Sequence, residues 1–381
     1  MKIVYIITDL STGGAQMMLY KLLSGLNRKR FTPVVVSLMD RGTIGDRIQS
    51  LSIPVYSIGM ASGKPTPASI WRCVRTVRQL QPDLIQGWMY HANLAAQLAS
   101  VFVPKSVPVL WSIRQSLYSL NYEKAGTAAV IKLCAKIANL PKHIIYNSQT
   151  SAHHHEKVGY RANKTVVIPN GFDTQIFAPS PEAVNSVRLE LGIPINTILI
   201  GLIGRYDPMK DHANFLQAAA LLLKKYPELT VQFVLAGSDV DGNNPFLCGL
   251  VQELGLLTRI HLLGERQDIP RLTAALDIAS CSSYAEAFPN VIGEAMACGV
   301  PCAVTDVGDA AWIVGNTGRV VPPRNPDALA NAWKELIDLG AEGREVLGKA
   351  ARLRISECFS LDSVVAKYES LYESAIANPL N

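Results

Sequence analysis

The chain has 381 residues, of which 49% are hydrophobic and 18% charged, with a formal net charge of +5. This composition excludes a disordered chain, and the length exceeds one ordinary core, so two domains are expected. No apolar stretch approaches the ~18–20 residues of a membrane span, and seven cysteines without C-x-x-C spacing speak against a disulfide framework or zinc site and for a reducing cytoplasm.

The first element, Ile3–Ile7 in MKIVYIITDLSTGG, reads as a buried strand and not as a secretion signal. Ala15, Met18, Leu19, Leu22, Leu23 and Leu26 then fall on one helical face. Further strands are expected at Pro33–Ser37, Pro54–Ser57, Leu84–Gln86, Pro108–Ser112 and His143–Tyr146. The run His153–His155 reads as a solvated polar patch in preference to a metal site. Residues 166–183, with three Pro and a Gly, read as the start of a domain connection. The alternation restarts with Thr197–Ile203, Val231–Leu235, Arg259–Leu262, Asp277–Cys281, Val300–Val304 and Gly318–Val321. An amphipathic helix, LDSVVAKYESLYESAIANP, closes the chain. Strands alternating with helices imply two Rossmann-like, doubly wound parallel sheets, an α/β fold class.

Charge divides unevenly between the halves. Residues 1–170 hold 20 Lys and Arg against 6 Asp and Glu, a net of +14, and the remainder holds 16 against 25, a net of −9. A basic first half suits an anionic partner: nucleic acid, an anionic membrane, or a phosphorylated substrate. A merely solvated basic face is the alternative. The absence of a nucleic-acid motif and an aromatic content of 7% argue against nucleic acid.

Ligands of open parallel sheets bind beyond the strand carboxyl ends, so the loops after strands should hold the chemistry. After Ile3–Ile7, Gly13 and Gly14 open a helix whose N-terminal amides could meet a phosphate, though an ordinary strand-to-helix turn reads equally. After Leu84–Gln86 come Trp88 and His91, a histidine that is either structural or turned to a ligand. After Thr197–Ile203 come Gly204, Arg205 and Lys210, with Asp211 as a helix cap. Two cations at a strand end suit a diphosphate; a surface ion-pair set with Asp207 and Asp211 is the alternative. After Asp277–Cys281, Glu286 lies in a loop, Pro289–Asn290 begin a helix, and Glu294 lies about one turn in. The amides of Phe288–Asn290 form an anion cradle. Acids flanking such a cradle would repel phosphate, so Glu286 and Glu294 should accept from hydroxyls on either side of it, a pattern that suits a nucleotide-sugar.

These features together resemble the retaining glycosyltransferases of family 4, whose two-Rossmann architecture is called GT-B. The resemblance rests on Gly13-Gly14, IPNGFD before the second half, GRYDPMK, LAG at 235–237, the E-x7-E pair of Glu286 and Glu294, GEAMACGVPCAVTDVG and TGRVVPP. It implies two Rossmann-like domains facing across a cleft: residues 1–172 for the acceptor, joined by a C-terminal crossover helix at about 360–381, and residues 173–359 for the donor. It implies transfer from a nucleoside-diphosphate-sugar to an acceptor hydroxyl, with configuration retained, no metal and no cofactor. A lipid-linked or cell-surface glycan on the cytoplasmic face of an anionic membrane would suit the basic half as acceptor. A GT-B nucleotide-sugar epimerase and a non-catalytic nucleotide-sugar binder are the alternatives. In the roles the resemblance carries over, Arg205, Lys210, Gly13 and Gly14 bind the diphosphate with Phe288, Pro289 and Asn290. Glu294 accepts from the ribose, Glu286 and Ala287 hold the sugar, and His91 contacts it near the reacting carbon. The chain departs from the pattern where Ala287–Asn290 follow Glu286, where GDAA (308–311) replaces a Gly-Gly-x-Pro-Glu run, and at Gln16 in place of an acid.

Overall fold

The computed structural model describes residues 1–61 and 65–377. The chain forms two compact units: Met1–Gly171 together with the helix Leu361–Ala377, and Phe172–Ser360.

The first unit holds a parallel sheet of seven strands: β1 (Lys2–Ile7), β2 (Thr32–Ser37), β3 (Val55–Ser57), β4 (Leu84–Trp88), β5 (Val109–Ile113), β6 (His143–Tyr146) and β7 (Thr165–Val167), in the order β3-β2-β1-β4-β5-β6-β7. Its central strands are nearly continuous apolar runs because helices cover both faces of a parallel sheet. Side chains alternate across it. Val4 and Ile6 join Ile85, Val109 and Trp111 on one face, while Ile3, Tyr5 and Ile7 join Leu19, Leu22 and Leu84 on the other. Met18, Leu19, Leu22 and Leu23 of the helix Gly14–Gly25 are buried on that second face, as their spacing predicts.

The helix Leu361–Ala377 seals the same face. Tyr368 and Tyr372 are fully buried, Tyr368 stacks on Trp88 with ring centroids 6.4 Å apart, and the Tyr372 hydroxyl donates to Gln86 Oε1 at 2.6 Å. The expected crossover of the last helix to the first unit is therefore real. Strand β7 was not expected: it lies where the reading began the connection at 166. It has three half-buried residues on the sheet edge, paired with β6, and its short apolar run, Val166–Ile168, leads straight into Pro169 and so into the segment assigned to the connection.

The second unit holds a parallel sheet of six strands: β8 (Ile198–Ile203), β9 (Val231–Ala236), β10 (Ile260–Leu262), β11 (Ile278–Cys281), β12 (Cys302–Thr305) and β13 (Gly318–Val321), in the order β10-β9-β8-β11-β12-β13. Leu199, Ala279 and Val304 face one helical layer, and Ile200, Leu202 and Ala303 face the other. Both sheets reverse strand order once, between β1 and β4 and between β8 and β11.

Candidate functional site

The two loops leaving the reversal point of the second sheet carry the expected charges. After β8, Gly204 and Arg205 lead into the turn Pro208–Lys210. Asp211, at φ 51°, caps the helix His212–Lys225 by accepting from the Asn214 amide at 3.2 Å. A short acidic side chain tolerates this left-handed position and satisfies an orphan helix amide there. After β11, Ser282 Oγ donates to the Lys210 carbonyl at 2.8 Å, and the Tyr284 amide donates to the Met209 carbonyl at 2.9 Å. The two loops are thereby stitched together.

Across that seam Lys210 Nζ lies 2.5 Å from Glu286 Oε1, and Ser283 Oγ donates to the same oxygen at 3.0 Å. The lysine and glutamate side chains are 24% and 16% exposed. Burial alone would lower the Lys210 pKa, but the charge and hydrogen bond of Glu286 outweigh it and hold the ammonium above its usual value. Arg205 is placed differently. Its side chain is 66% exposed, and its guanidinium donates Nε–H and Nη2–H to Asp207 Oδ2 at 3.2 and 2.8 Å. Of the ion pairs considered for this loop, Arg205–Asp207 forms, whereas Lys210 pairs with Glu286 and Asp211 caps the helix. Gly237 explains the LAG sequence: a Cβ there would lie 2.1 Å from the Gly204 carbonyl oxygen, so only glycine lets the β9 loop seat against Gly204 and Arg205.

The helix after the second loop starts at Asn290 and ends at Ala297, with Pro289 as its cap. Glu294 stands one turn in and is partly buried. The expected cradle needs one correction. Pro289 has no N–H and cannot donate to an anion, so the main-chain donors of this loop are Ala287, Phe288 and Asn290. The Phe288 ring is buried and stacks on Phe172, with centroids 6.1 Å apart; only its backbone is open to a role with phosphate. The loop is held from below by two glycines. A Cβ on Gly293 would lie 2.1 Å from the Phe172 ring, and a Cβ on Gly308, at φ 55°, would lie 2.4 Å from the Glu286 carbonyl oxygen. The Asp309 amide donates to the Ala287 carbonyl at 3.0 Å. The GDAA departure is thus a backbone clamp on the Glu286 loop. Its signal in the sequence was Gly308, and Ser282 and Ser283 were legible only as small loop residues.

In the first unit the reversal point lies between the loops after β1 and β4. Gly13 is extended at φ −172° and caps the helix Gly14–Gly25, with Gly14 exposed at its first position. Gln16 closes this loop: its Nε2–H donates to Asp9 Oδ1 at 3.1 Å, as does the Ser11 amide. The Trp88 indole N–H donates to the Ala15 carbonyl at 3.0 Å, which joins the end of β4 to the glycine turn. His91 is the second residue of the helix Tyr90–Ser100, and partial desolvation lowers its pKa. Arg114, after β5, was not singled out in the sequence. It is buried, donates to the Tyr368 hydroxyl at 2.7 Å and to Asn170 Oδ1 at 2.5 Å, and lies over the Trp88 ring at 5.0 Å. The histidine run is not a solvated patch. His153 is exposed, but His155 is completely buried, because the helix Gln149–Lys157 turns every fourth residue toward the sheet. Among the described residues no three His, Cys, Asp or Glu side chains gather as metal ligands would.

Two family models match in tandem: residues 12–194 match Glycosyltransferase Family 4, and residues 197–338 match Glycosyl transferases group 1. The chain belongs to the family 4 glycosyltransferases. A D-inositol 3-phosphate glycosyltransferase of Corynebacterium glutamicum is 31% identical over 56% of this chain and 52% of its own length. The UDP-Gal:alpha-D-GlcNAc-diphosphoundecaprenol alpha-1,3-galactosyltransferase of Escherichia coli is 29% identical over 56% of this chain and 55% of its own. The chain spans about half the length of the curated relatives it matches. Among solved structures, Anabaena Alr3699/HepE in complex with UDP has a TM-score of 0.85 at 26% identity, covering 98% of this chain and 100% of that one. The same protein in complex with UDP-glucose has a TM-score of 0.82, covering 98% and 99%. The family 4 likeness therefore extends over both Rossmann-like units.

Proposed function

We propose that this chain is a retaining glycosyltransferase that moves a sugar from a nucleoside diphosphate to an acceptor hydroxyl without a metal ion. The observation that carries this reading is the Lys210–Glu286 contact at the reversal point of the second sheet. A lysine held charged by one carboxylate can exchange that partner for phosphate oxygens, which frees Glu286 to accept from sugar hydroxyls. Arg205 adds a second cation, and the amides of Ala287, Phe288 and Asn290 add neutral donors. Glu294 is assigned to the ribose, Gly13 and Gly14 to the phosphates, and His91 to the sugar near its reacting carbon. In the reaction the bond from the anomeric carbon to the phosphate oxygen breaks, and the acceptor oxygen bonds on the same face. The acceptor proton passes to the departing phosphate, whose growing charge Lys210 and Arg205 stabilise.

A solved relative holds UDP and UDP-glucose, which makes uridine donors the first to test. In a thermal-shift panel of nucleoside diphosphates and their sugars, UDP compounds should stabilise the chain. A ligand at 100 times its Kd adds ~2.7 kcal/mol. A panel in which no nucleoside diphosphate shifts the transition overturns the reading. Conversion of the donor with no acceptor present would favour an epimerase instead.

The acceptor is assigned to the basic first unit, on the cytoplasmic face of an anionic membrane, as a lipid-linked or surface glycan. A relative named for a diphosphoundecaprenol acceptor supports this class. So does one face of the unit. The helices Pro67–Leu80, Tyr90–Ser100 and Ala125–Lys136 all turn their inner sides to one core. Their outer sides, with the residues just after the second, expose Trp71, Leu98, Val101, Phe102 and Leu133 beside Arg72, Arg75, Arg78, Lys132 and Lys136. Cations interleaved with large apolar side chains suit a lipid headgroup layer. No described helix is long and apolar enough to cross a membrane, so the contact would be peripheral. The chain should sediment with phosphatidylglycerol vesicles at low salt and be released as salt rises. Absence from the vesicle pellet at low salt would remove the membrane from the proposal.

A further inference from the structure

The turn that carries His91 is strained, and four contacts oppose its relaxation. Met89, between β4 and the helix Tyr90–Ser100, has φ 75° and ψ 165°, a region essentially reserved for glycine. The Met89 amide donates to the Ser112 carbonyl at 2.8 Å. Asn93 clasps the same residue of β5, accepting from the Ser112 amide at 3.2 Å and donating to its carbonyl at 3.3 Å. Gly87 permits this approach, since a Cβ there would lie 2.5 Å from Asn93 Cα. On the other side the Tyr90 hydroxyl is 2.7 Å from His155 Nε2.

His155 is the buried member of the histidine run, and its tautomer follows from its partners. Nδ1 is 2.7 Å from the Ser151 carbonyl, an acceptor only, so Nδ1 carries the proton. Nε2 is then the acceptor, and Tyr90 donates to it. The rings of Tyr90, Tyr146 and Tyr160 enclose the imidazole. Neighbouring His154 and the burial together oppose its charge, and burial pulls its pKa down to about 4. It remains a neutral acceptor at any ordinary pH. A strained residue persists only where its surroundings over-determine it, and such residues gather at functional sites. The consequence of that conformation is the presentation of the next exposed side chain, His91.

We propose that Tyr90 and His155 are positioning residues: their hydrogen bond anchors the strained Met89 turn and so sets the place of His91 on the donor sugar. The inference rests on the assignment of His91 made above.

The test is the pair of variants Tyr90→Phe and His155→Phe, with the double variant. Each keeps an aromatic ring in the buried cluster and removes one side of the hydrogen bond. With the donor identified by the nucleotide panel, kcat should fall roughly 10–100-fold, the scale of a small misplacement of a reacting group, with KM for the donor unchanged. The double variant should lose no more than either single one, because the two residues act through one bond. The ring signals of isotope-labelled His91 should move in Tyr90→Phe. If His155→Phe fails to fold, Tyr90→Phe alone decides. A folded Tyr90→Phe with wild-type kcat and unmoved His91 signals overturns the proposal. Wild-type turnover in His91→Ala instead overturns the assignment of His91 to the sugar. The His91 signals in Tyr90→Phe still report on the anchoring in that case.

Discussion

Replacing Lys210 by alanine is expected to lower kcat by ~10²–10³-fold, the cost of removing one preorganised charge-stabilising donor. The effect should be large for two reasons that the geometry supplies. The ammonium is three-quarters buried and lies against a carboxylate, so its field is little screened by water. Its removal also leaves Glu286 without its cation, next to the place assigned to the diphosphate. The variant therefore loses an attraction and gains a repulsion. Arg205→Ala should cost less, because that side chain is 66% exposed and already shares its charge with Asp207. Glu286→Gln separates the two contributions: it keeps the ammonium in place and removes the repulsion, so it should weaken sugar binding more than diphosphate binding. Release of nucleoside diphosphate under saturating donor measures the first two, and the dissociation constants of a nucleoside diphosphate and of its sugar measure the third. A Lys210→Ala enzyme with near wild-type turnover would take Lys210 out of the mechanism.

The largest loss of stability is expected from Asp277→Ala, at about 3 kcal/mol, the lower end of the range for breaking a buried ion pair from one side. Asp277 Oδ2 accepts from Arg188 Nη2 at 2.6 Å and from the Leu199 amide at 2.9 Å, and Arg344 approaches its other oxygen at 3.8 Å. Arg188 is only 5% exposed, whereas Asp277 is 26% exposed. Losing the acid therefore strands a guanidinium that water cannot reach. Its bond to the Ala275 carbonyl at 2.9 Å remains and keeps the cost from being higher. Arg188→Met should cost less, since the carboxylate left behind can rehydrate. The double variant Asp277→Leu with Arg188→Met should recover part of the loss, as apolar replacements of buried pairs often do. Urea unfolding of the four proteins gives the comparison. An Asp277→Ala midpoint equal to the wild type would mean that the pair does not stabilise the second unit.

The donor loops show what a single sequence makes visible. Arg205 and Lys210 could be placed after β8, and Glu286 after β11, because each strand announced itself as an apolar run and ended at polar residues. Asp211 could be named as a cap because a short acid before an apolar-periodic stretch has a local job. The direct contact of Lys210 with Glu286 could not be read from the sequence, because nothing local to either residue indicates a meeting across 76 positions. Pro289 was over-read for the opposite reason: the helix start was correctly seen, but the missing N–H of proline was not set against the need for donors.

The first unit repeats the lesson at His155. Three successive histidines look polar in a row, and only their helical phase against the sheet decides that the third is buried while the first is wet. Strand β7 escaped notice because its short apolar run, Val166–Ile168, runs directly into the Pro-rich connection.

By itself the sequence determined the order and kind of the strands other than β7, the restart of the strand pattern near residue 197, and the loops in which charge collects. These follow from local spacing, since a segment's apolar period depends only on how many of its faces are covered. The tertiary structure alone decided the sheet orders, the pairing of Lys210 with Glu286, the sealing of the first sheet by Tyr368 and Tyr372, and the strained turn before His91. Each of these is a meeting of segments far apart in the chain, set by which strands become neighbours, and no periodicity within one segment carries that information.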